Sequence, residues 1–181
     1  SSSGGSEFSE NYDWNNRGYI KTSNVKLINT GKNASSKDEK PGITYQAHSA
    51  KYMWLPEKHE DEVAGTVNEY LRMEAIRISL QGYNGASVKY RVRGEGYNWQ
   101  EWASDGQVAG TTGQSKRIEA IEIVTEGMPE GYYLQYRVLV QDYGWMRWVN
   151  EGETAGTINE WRRIEAIQIR IVKGESTIKY R

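Results

Sequence analysis

The chain has no cysteine, which removes disulfides, thiolate metal ligands and thiol nucleophiles from any account of it. Histidine is nearly as scarce. His48 and His59 are the only two, and no serine–histidine–aspartate arrangement surrounds them. Long apolar runs are missing and the mean hydropathy is −0.80, so no segment reads as a membrane-spanning helix. Charge of one sign is not in excess. The 23 Lys and Arg stand against 24 Asp and Glu, a formal net charge of −1, with no basic field to neutralise nucleic-acid phosphates. Phenylalanine occurs once, at Phe8, beside 7 Trp and 13 Tyr. A sealed core recruits Phe along with Leu and Ile, whereas Tyr and Trp collect where one ring edge stays wet. Small β domains also use them as half-buried covers.

Catalytic motifs are missing as well. There is no phosphate-cradling glycine loop followed by lysine and no dinucleotide fingerprint, and KHEDE (58–62) lacks the two-histidine spacing of a zinc protease. The calcium-loop pattern is absent. Carboxylates recur in turns at equivalent places, as structural elements do, and not as the isolated pair of a glycosidase. The expectation is a protein that is not an enzyme and needs no cofactor or metal.

What is present is repetition. KYMWLPEKHEDEVAGTVNEYLRMEAIRI from Lys51, GYNWQEWASDGQVAGTTGQSKRIEAIEI from Gly96 and DYGWMRWVNEGETAGTINEWRRIEAIQI from Asp142 are three versions of one segment. Trp54, Trp99 and Trp145 recur at about 46 residues, as do Gly65, Gly110 and Gly156, and such a period marks a unit that buries its apolar face only against its copies. Each unit opens with an alternating stretch, ITYQAH (43–48), VKYRVR (88–93) or LQYRVL (134–139), and closes with one such as RIEAIEIV (117–124). Period-2 alternation between glycine-bearing turns predicts strands throughout. The WASDG and WVNEG loops have room for one helical turn and nothing longer.

The expected organisation is a linker or cloning scar at 1–8, then an N-terminal extension over 9–42 with one strand at 24–31. Three repeats follow at 43–87, 88–132 and 133–174, then a final strand at 175–181. NVKLINTG (24–31) is similar to the closing strands and STIKYR (176–181) to the opening ones. Either these end strands complete the sheet, removing exposed edges, or the chain is cut from a longer array.

The series Trp99, Trp102, Asp105-Gly106, Ala109-Gly110-Thr111 and Arg117-Ile118-Glu119-Ala120-Ile121, repeated from Trp145 to Ile167, resembles the ChW repeats ("clostridial hydrophobic with a conserved Trp"). The first copy departs from it, with Glu57 at the second tryptophan, Asp61 at the turn glycine and Met73 at the isoleucine. The resemblance implies a secreted or surface protein of a Firmicute, with roles in adhesion, polysaccharide or cell-wall binding, or protein assembly, and no catalytic set. Three units suit an all-β pseudo-threefold domain. A β-prism I, as in jacalin-type lectins, is preferred because the repeat layout is similar to that of the vitelline outer layer protein; a β-trefoil is the alternative.

Positions kept in all copies are those the unit itself needs. Trp54, Trp99 and Trp145 read as core, Gly65, Gly110 and Gly156 as a positive φ or a close backbone approach. Arg72, Arg117 and Arg163 fall two residues before Glu74, Glu119 and Glu165, on one face of a strand, as ion pairs. Ligand contact is expected at groups the unit does not need: Trp102 and Trp148, with Tyr97 and Tyr143, Asp105 and Glu151, and the amides of Asn98, Asn150 and Gln100. An indole face stacks on the apolar face of a pyranose while carboxylate and amide groups bond its hydroxyls. The partner expected is a glycan or polysaccharide, or alternatively an extracellular protein such as a mucin, an immunoglobulin or a sister surface protein.

Overall fold

A computed structural model describes residues 40–174; the strands read at 24–31 and 176–181 lie outside them. The first repeat holds β1 (Gly42–Ser49), β2 (Met53–Trp54), β3 (Lys58–His59), β4 (Ala64–Gly65) and β5 (Met73–Gln81). The second holds β6 (Ser87–Gly94), β7 (Ala103–Ser104), β8 (Ala109–Gly110) and β9 (Ile118–Glu126). The third holds β10 (Tyr132–Val140), β11 (Gly144–Trp145), β12 (Val149–Asn150), β13 (Ala155–Gly156) and β14 (Ile164–Lys173). No helix occurs among the described residues. The segment given room for a helical turn instead begins with β7 and turns at Asp105–Gly106.

Each repeat is built on a long antiparallel pair, β1 with β5, β6 with β9 and β10 with β14. The short strands then divide between neighbours. β2, β3, β7, β11 and β12 stay on their own opening strand. The Ala-Gly strands cross over: β8 pairs with β5, β13 with β9, and β4 with β14. Each repeat therefore adds an edge strand to the sheet of the repeat before it, and the first adds its strand to the third. The three repeats close on themselves.

A β-bulge makes the crossover possible. His48 pairs with Ala75 but Ser49 with Met73, so Glu74 is an extra residue, and Glu119 and Glu165 are extra in the same way. Around each bulge four successive residues are buried, in place of the alternation further along. The bulge turns a carbonyl toward the neighbouring repeat, where Thr111 N donates to Glu74 O, Thr157 N to Glu119 O and Thr66 N to Glu165 O, at 2.9–3.0 Å.

The core lies on the inner faces of the three sheets, with isoleucine, valine and leucine around three fully buried tyrosines, Tyr45, Tyr90 and Tyr136. Each buried aliphatic side chain contributes about 1.5–3 kcal/mol. A buried phenol needs a partner for its hydroxyl, and the neighbouring repeat supplies one. Tyr90 Oη accepts from Ile78 N at 3.0 Å, Tyr136 Oη from Ile123 N at 3.1 Å and Tyr45 Oη from Ile169 N at 3.1 Å. The same hydroxyls donate to the carbonyls of Gln107, Glu153 and Glu62.

Candidate functional site

Strand alternation decides what each sheet turns outward. In β6 the inward row is Val88, Tyr90 and Val92, and the outward row Lys89, Arg91 and Arg93; Arg137 takes the place of Arg91 in β10. The corner after each opening strand lays its tryptophans over these cations. Arg91 lies 4.9 and 4.7 Å from the ring centres of Trp99 and Trp102, and Arg137 lies 4.8 and 4.9 Å from those of Trp145 and Trp148. In the first repeat Gln46 replaces the arginine, and Arg77 from the closing strand covers Trp54 at 4.4 Å. Each contact is worth about 0.5–2 kcal/mol. Trp54, Trp99 and Trp145 are therefore half-buried covers of the outer faces, a correction to their reading as core. The inward position of each unit is already filled by its buried tyrosine, so the indoles take the wet side.

The residues expected to contact a ligand divide into distinct settings. Trp102 is 41% exposed and walls a depression of about 310 Å³ with Lys89, Ser104, Val124 and Glu126. Trp148 is half-buried. Arg170 lies 3.9 Å from its ring centre, held by bonds of 3.0 and 2.7 Å to Gln135 Oε1. Gln135 Nε2 in turn donates to Asn150 Oδ1 at 2.9 Å. Gln100 is engaged with both backbone groups of Gly110.

The turn carboxylates act as clamps between repeats. Asp105 accepts from Leu80 N at 2.8 Å and Val88 N at 3.2 Å. Glu151 accepts from Thr125 N and Leu134 N, both at 2.9 Å. Glu60 accepts from Ile171 N at 3.2 Å. These bonds give Asp105 and Glu151 a part in the fold, as acceptors for backbone donors at the sheet ends.

Tyr97 and Tyr143 diverge from equivalent positions. Tyr97 packs against the core, and burial, with the charge of Glu119 second, pushes its hydroxyl up to about 12. Tyr143 is exposed and its hydroxyl donates to Glu160 Oε2 at 2.6 Å, as Tyr52 donates to Glu69 Oε2 at 2.7 Å. Asn98 Oδ1 accepts from Arg93 Nε at 3.2 Å. The structure thus sets Trp102 apart from Tyr97 and Asn98, which line a different depression, of about 330 Å³, with Arg93, Glu119, Asn159 and Trp161.

That second depression lies at the seam between repeats two and three, floored by an ion-pair cluster. Arg117 Nε donates to Glu119 Oε1 at 2.9 Å, and Arg93 Nη1 lies 3.6 Å from Glu119 Oε2. Glu119 is buried, as are Glu74 and Glu165, which pair with Arg72 and Arg163, each at 2.9 Å through Nε. The equivalent depression between repeats one and two, about 370 Å³, has His48 for Arg93, Met53 for Asn98 and Ser115 for Trp161. His48 Nδ1 lies 3.2 Å from Glu74 Oε2 there.

Two residues escaped sequence reasoning, Tyr70 and Trp161, which are 74% and 72% exposed, more so than any other large hydrophobic side chain among the described residues. They occupy one position of the unit, where the second repeat has Ser115, and all three have positive φ, 58°, 54° and 58°. The signal was available. A residue type that changes between copies while its surroundings are kept is one the unit does not need.

Among the described residues no cluster of three or more histidine, aspartate and glutamate side chains is placed to hold a metal ion. The profile of the family described as Clostridial hydrophobic W, ChW, matches residues 54–82, 92–127 and 140–173, more than half of the chain. No curated protein and no solved structure gave a significant match.

Proposed function

The chain belongs to the ChW (clostridial hydrophobic W) family, and from that premise we propose that it is a non-catalytic, extracellular binding module that recognises a polysaccharide or glycan through exposed aromatic residues. The observation that carries the reading is Trp102, whose 41% exposed indole has Arg91 over one face and is bordered by Ser104 and by Lys89 and Glu126, which pair at 2.7 Å. An apolar ring face beside an ammonium, a hydroxyl and a carboxylate offers a pyranose stacking on one side and hydrogen bonds at its rim. Repeats of this family are often extracellular, and adhesion to a glycan-bearing surface is the role that fits a module with no catalytic set.

The test is a glycan array probed with the wild-type chain and with Trp102→Ala, both first shown to be folded by circular dichroism. Saturable hits that Trp102→Ala weakens at least about tenfold support the reading; a blank array from folded protein contradicts it. A second reading, a protein-binding adhesin or assembly module, is favoured by Tyr70, an aromatic side chain held 74% exposed of the kind that anchors protein interfaces. Its mark is saturable binding to a partner that survives enzymatic deglycosylation.

A further inference from the structure

The seam between repeats two and three is lined from one side by Arg93, Tyr97, Asn98 and Glu119 and from the other by Asn159 and Trp161. We propose that it is a second carbohydrate site, taking one or two rings of a neutral hexose with Trp161 as its stacking platform. The inference rests on the glycan reading and adds to it a place and a ligand charge.

Trp161 is presented, not merely left over. A bulky side chain at positive φ is disfavoured, yet Trp161 has φ 54° and Asn159 φ 63°. The loop that carries them is anchored at two successive residues just before Trp161. Asn159 Oδ1 accepts from Arg93 Nη2 of the neighbouring repeat at 2.8 Å, and Glu160 accepts from Tyr143 of its own repeat at 2.6 Å. Anchoring the loop just before Trp161 lowers the cost of ordering it when a ligand stacks on the ring.

The polar lining selects the ligand class. Asn98 and Asn159 bring planar amides, and Arg93 brings a planar guanidinium already oriented by both of them. These groups match the in-plane donors and acceptors of sugar hydroxyls. Arg93 is the only cation among the lining residues, which also include Glu95 and Glu119, and it lies 3.6 Å from Glu119 Oε2. Arg117 also pairs with both of these carboxylates at 2.9 Å. The lining itself keeps no unpaired cation to hold a sialic or uronic acid, so a neutral sugar fits it; Lys116, whose Nζ would lie 3.8 Å from a Cβ on Gly96 at the rim, is the cation that an acidic sugar would have to reach. The volume, about 330 Å³, is at the small end for ligand pockets, room for one or two rings.

The first seam is a built-in contrast. Ser115 holds the same backbone conformation as Trp161, φ 58°, with no aromatic face to offer, and Met53 and Gly113 replace the two asparagines. This also shows that serine is compatible with the fold at this position.

The experiment uses the whole chain in a Trp102→Ala background, so that the seam is read alone. Neutral and sialylated oligosaccharides are screened on an array, and the strongest neutral hit is titrated by tryptophan fluorescence. Residual binding of the neutral hit is expected to persist in Trp102→Ala. It is expected to fall at least about tenfold when Trp161→Ser is added, and to fall also with Asn159→Gly, which keeps the left-handed backbone and removes the amide. If Trp102→Ala alone abolishes all binding, or if the residual binding ignores Trp161→Ser, the seam site is overturned while the glycan reading stands. Preference for sialylated glycans overturns the neutral assignment. A blank array from the folded wild-type chain overturns both.

Discussion

A phenol is awkward to bury, and four of them sit where proton loss is hardest. Burial pushes Tyr90 up to about 12, partly offset by the hydrogen bond from Ile78 N. Tyr97 reaches about 12 through burial first and the Glu119 charge second. Tyr45 and Tyr136 are raised further, by burial above all. The folded state therefore holds these protons more tightly than the unfolded chain does, whose tyrosines titrate near 10.0. The stability they contribute is fully present below pH of about 10 and is lost as pH rises from about 10 through about 12. Urea midpoints measured across that range are expected to stay level up to pH of about 9.5 and then fall. In parallel, tyrosinate absorbance should lag behind that of the unfolded chain. A midpoint that holds level to pH of about 12 would contradict the burial assigned here. At this scale the sequence was a fair guide to which residues recur and a poor guide to which side they face. The recurring tryptophans and tyrosines carry the same statistical weight along the chain. Only the alternation Val88-Lys89-Tyr90-Arg91 separates an inward ring from rings that lie over an outward arginine.

Two-residue strands hold the repeats together, and the glycine within each is their weak point. Gly110 has φ +103°, and a Cβ built there would lie 2.4 Å from Glu74 O; Gly65 and Gly156 meet Glu165 O and Glu119 O at 2.3 Å. Gly110→Ala combines backbone strain with overlap against a neighbouring main chain, a cost of about 2–6 kcal/mol. Gly113→Ala has φ +73° but open space around it and should cost only about 1 kcal/mol. Chemical denaturation of the two variants side by side checks the contrast, and equal losses would mean that close approach at the seam is unimportant. The need for glycine in Ala-Gly-Thr was legible from its recurrence. Its partner was not, because a dipeptide strand has no alternation from which to read a register. The bulge lay in plain view as a phase break. Ile118, Ala120, Ile121 and Ile123 place two small or apolar residues side by side, and Glu119 is the residue extruded by that slip. Asp61, which departs from glycine in the first copy, is explained at the same scale. It sits at φ 68°, a conformation aspartate tolerates better than most.

Three repeats are the smallest number that leaves no seam open in this arrangement. β8 completes the sheet of repeat one, β13 that of repeat two, and β4 returns to that of repeat three. Removing the third repeat leaves β4 without β14 and β9 without β13, and it deprives the Tyr45 hydroxyl and Ile123 N of their partners Ile169 N and Tyr136 Oη. A chain lacking residues 133–174 is expected to show no sharp thermal transition as a monomer by circular dichroism, and two-repeat chains that melt cooperatively near the temperature of the whole would contradict closure. The repeat number and the all-β class were readable from periodicity. The end strands at 24–31 and 176–181, read either as completing the sheet or as ends cut from a longer array, lie outside the described residues, and the pairings that close residues 40–174 come from within the three repeats. Closure also has a functional consequence, since it places an open tryptophan on a sheet face and another at a seam of one rigid body, so a polymeric glycan engaging both would gain by avidity. The most direct measurement of the central claim is titration of the folded wild-type chain with the strongest hit from a glycan array. Saturable binding that Trp102→Ala weakens is the predicted result. No hit from folded protein, together with capture of a partner that survives deglycosylation, would contradict it.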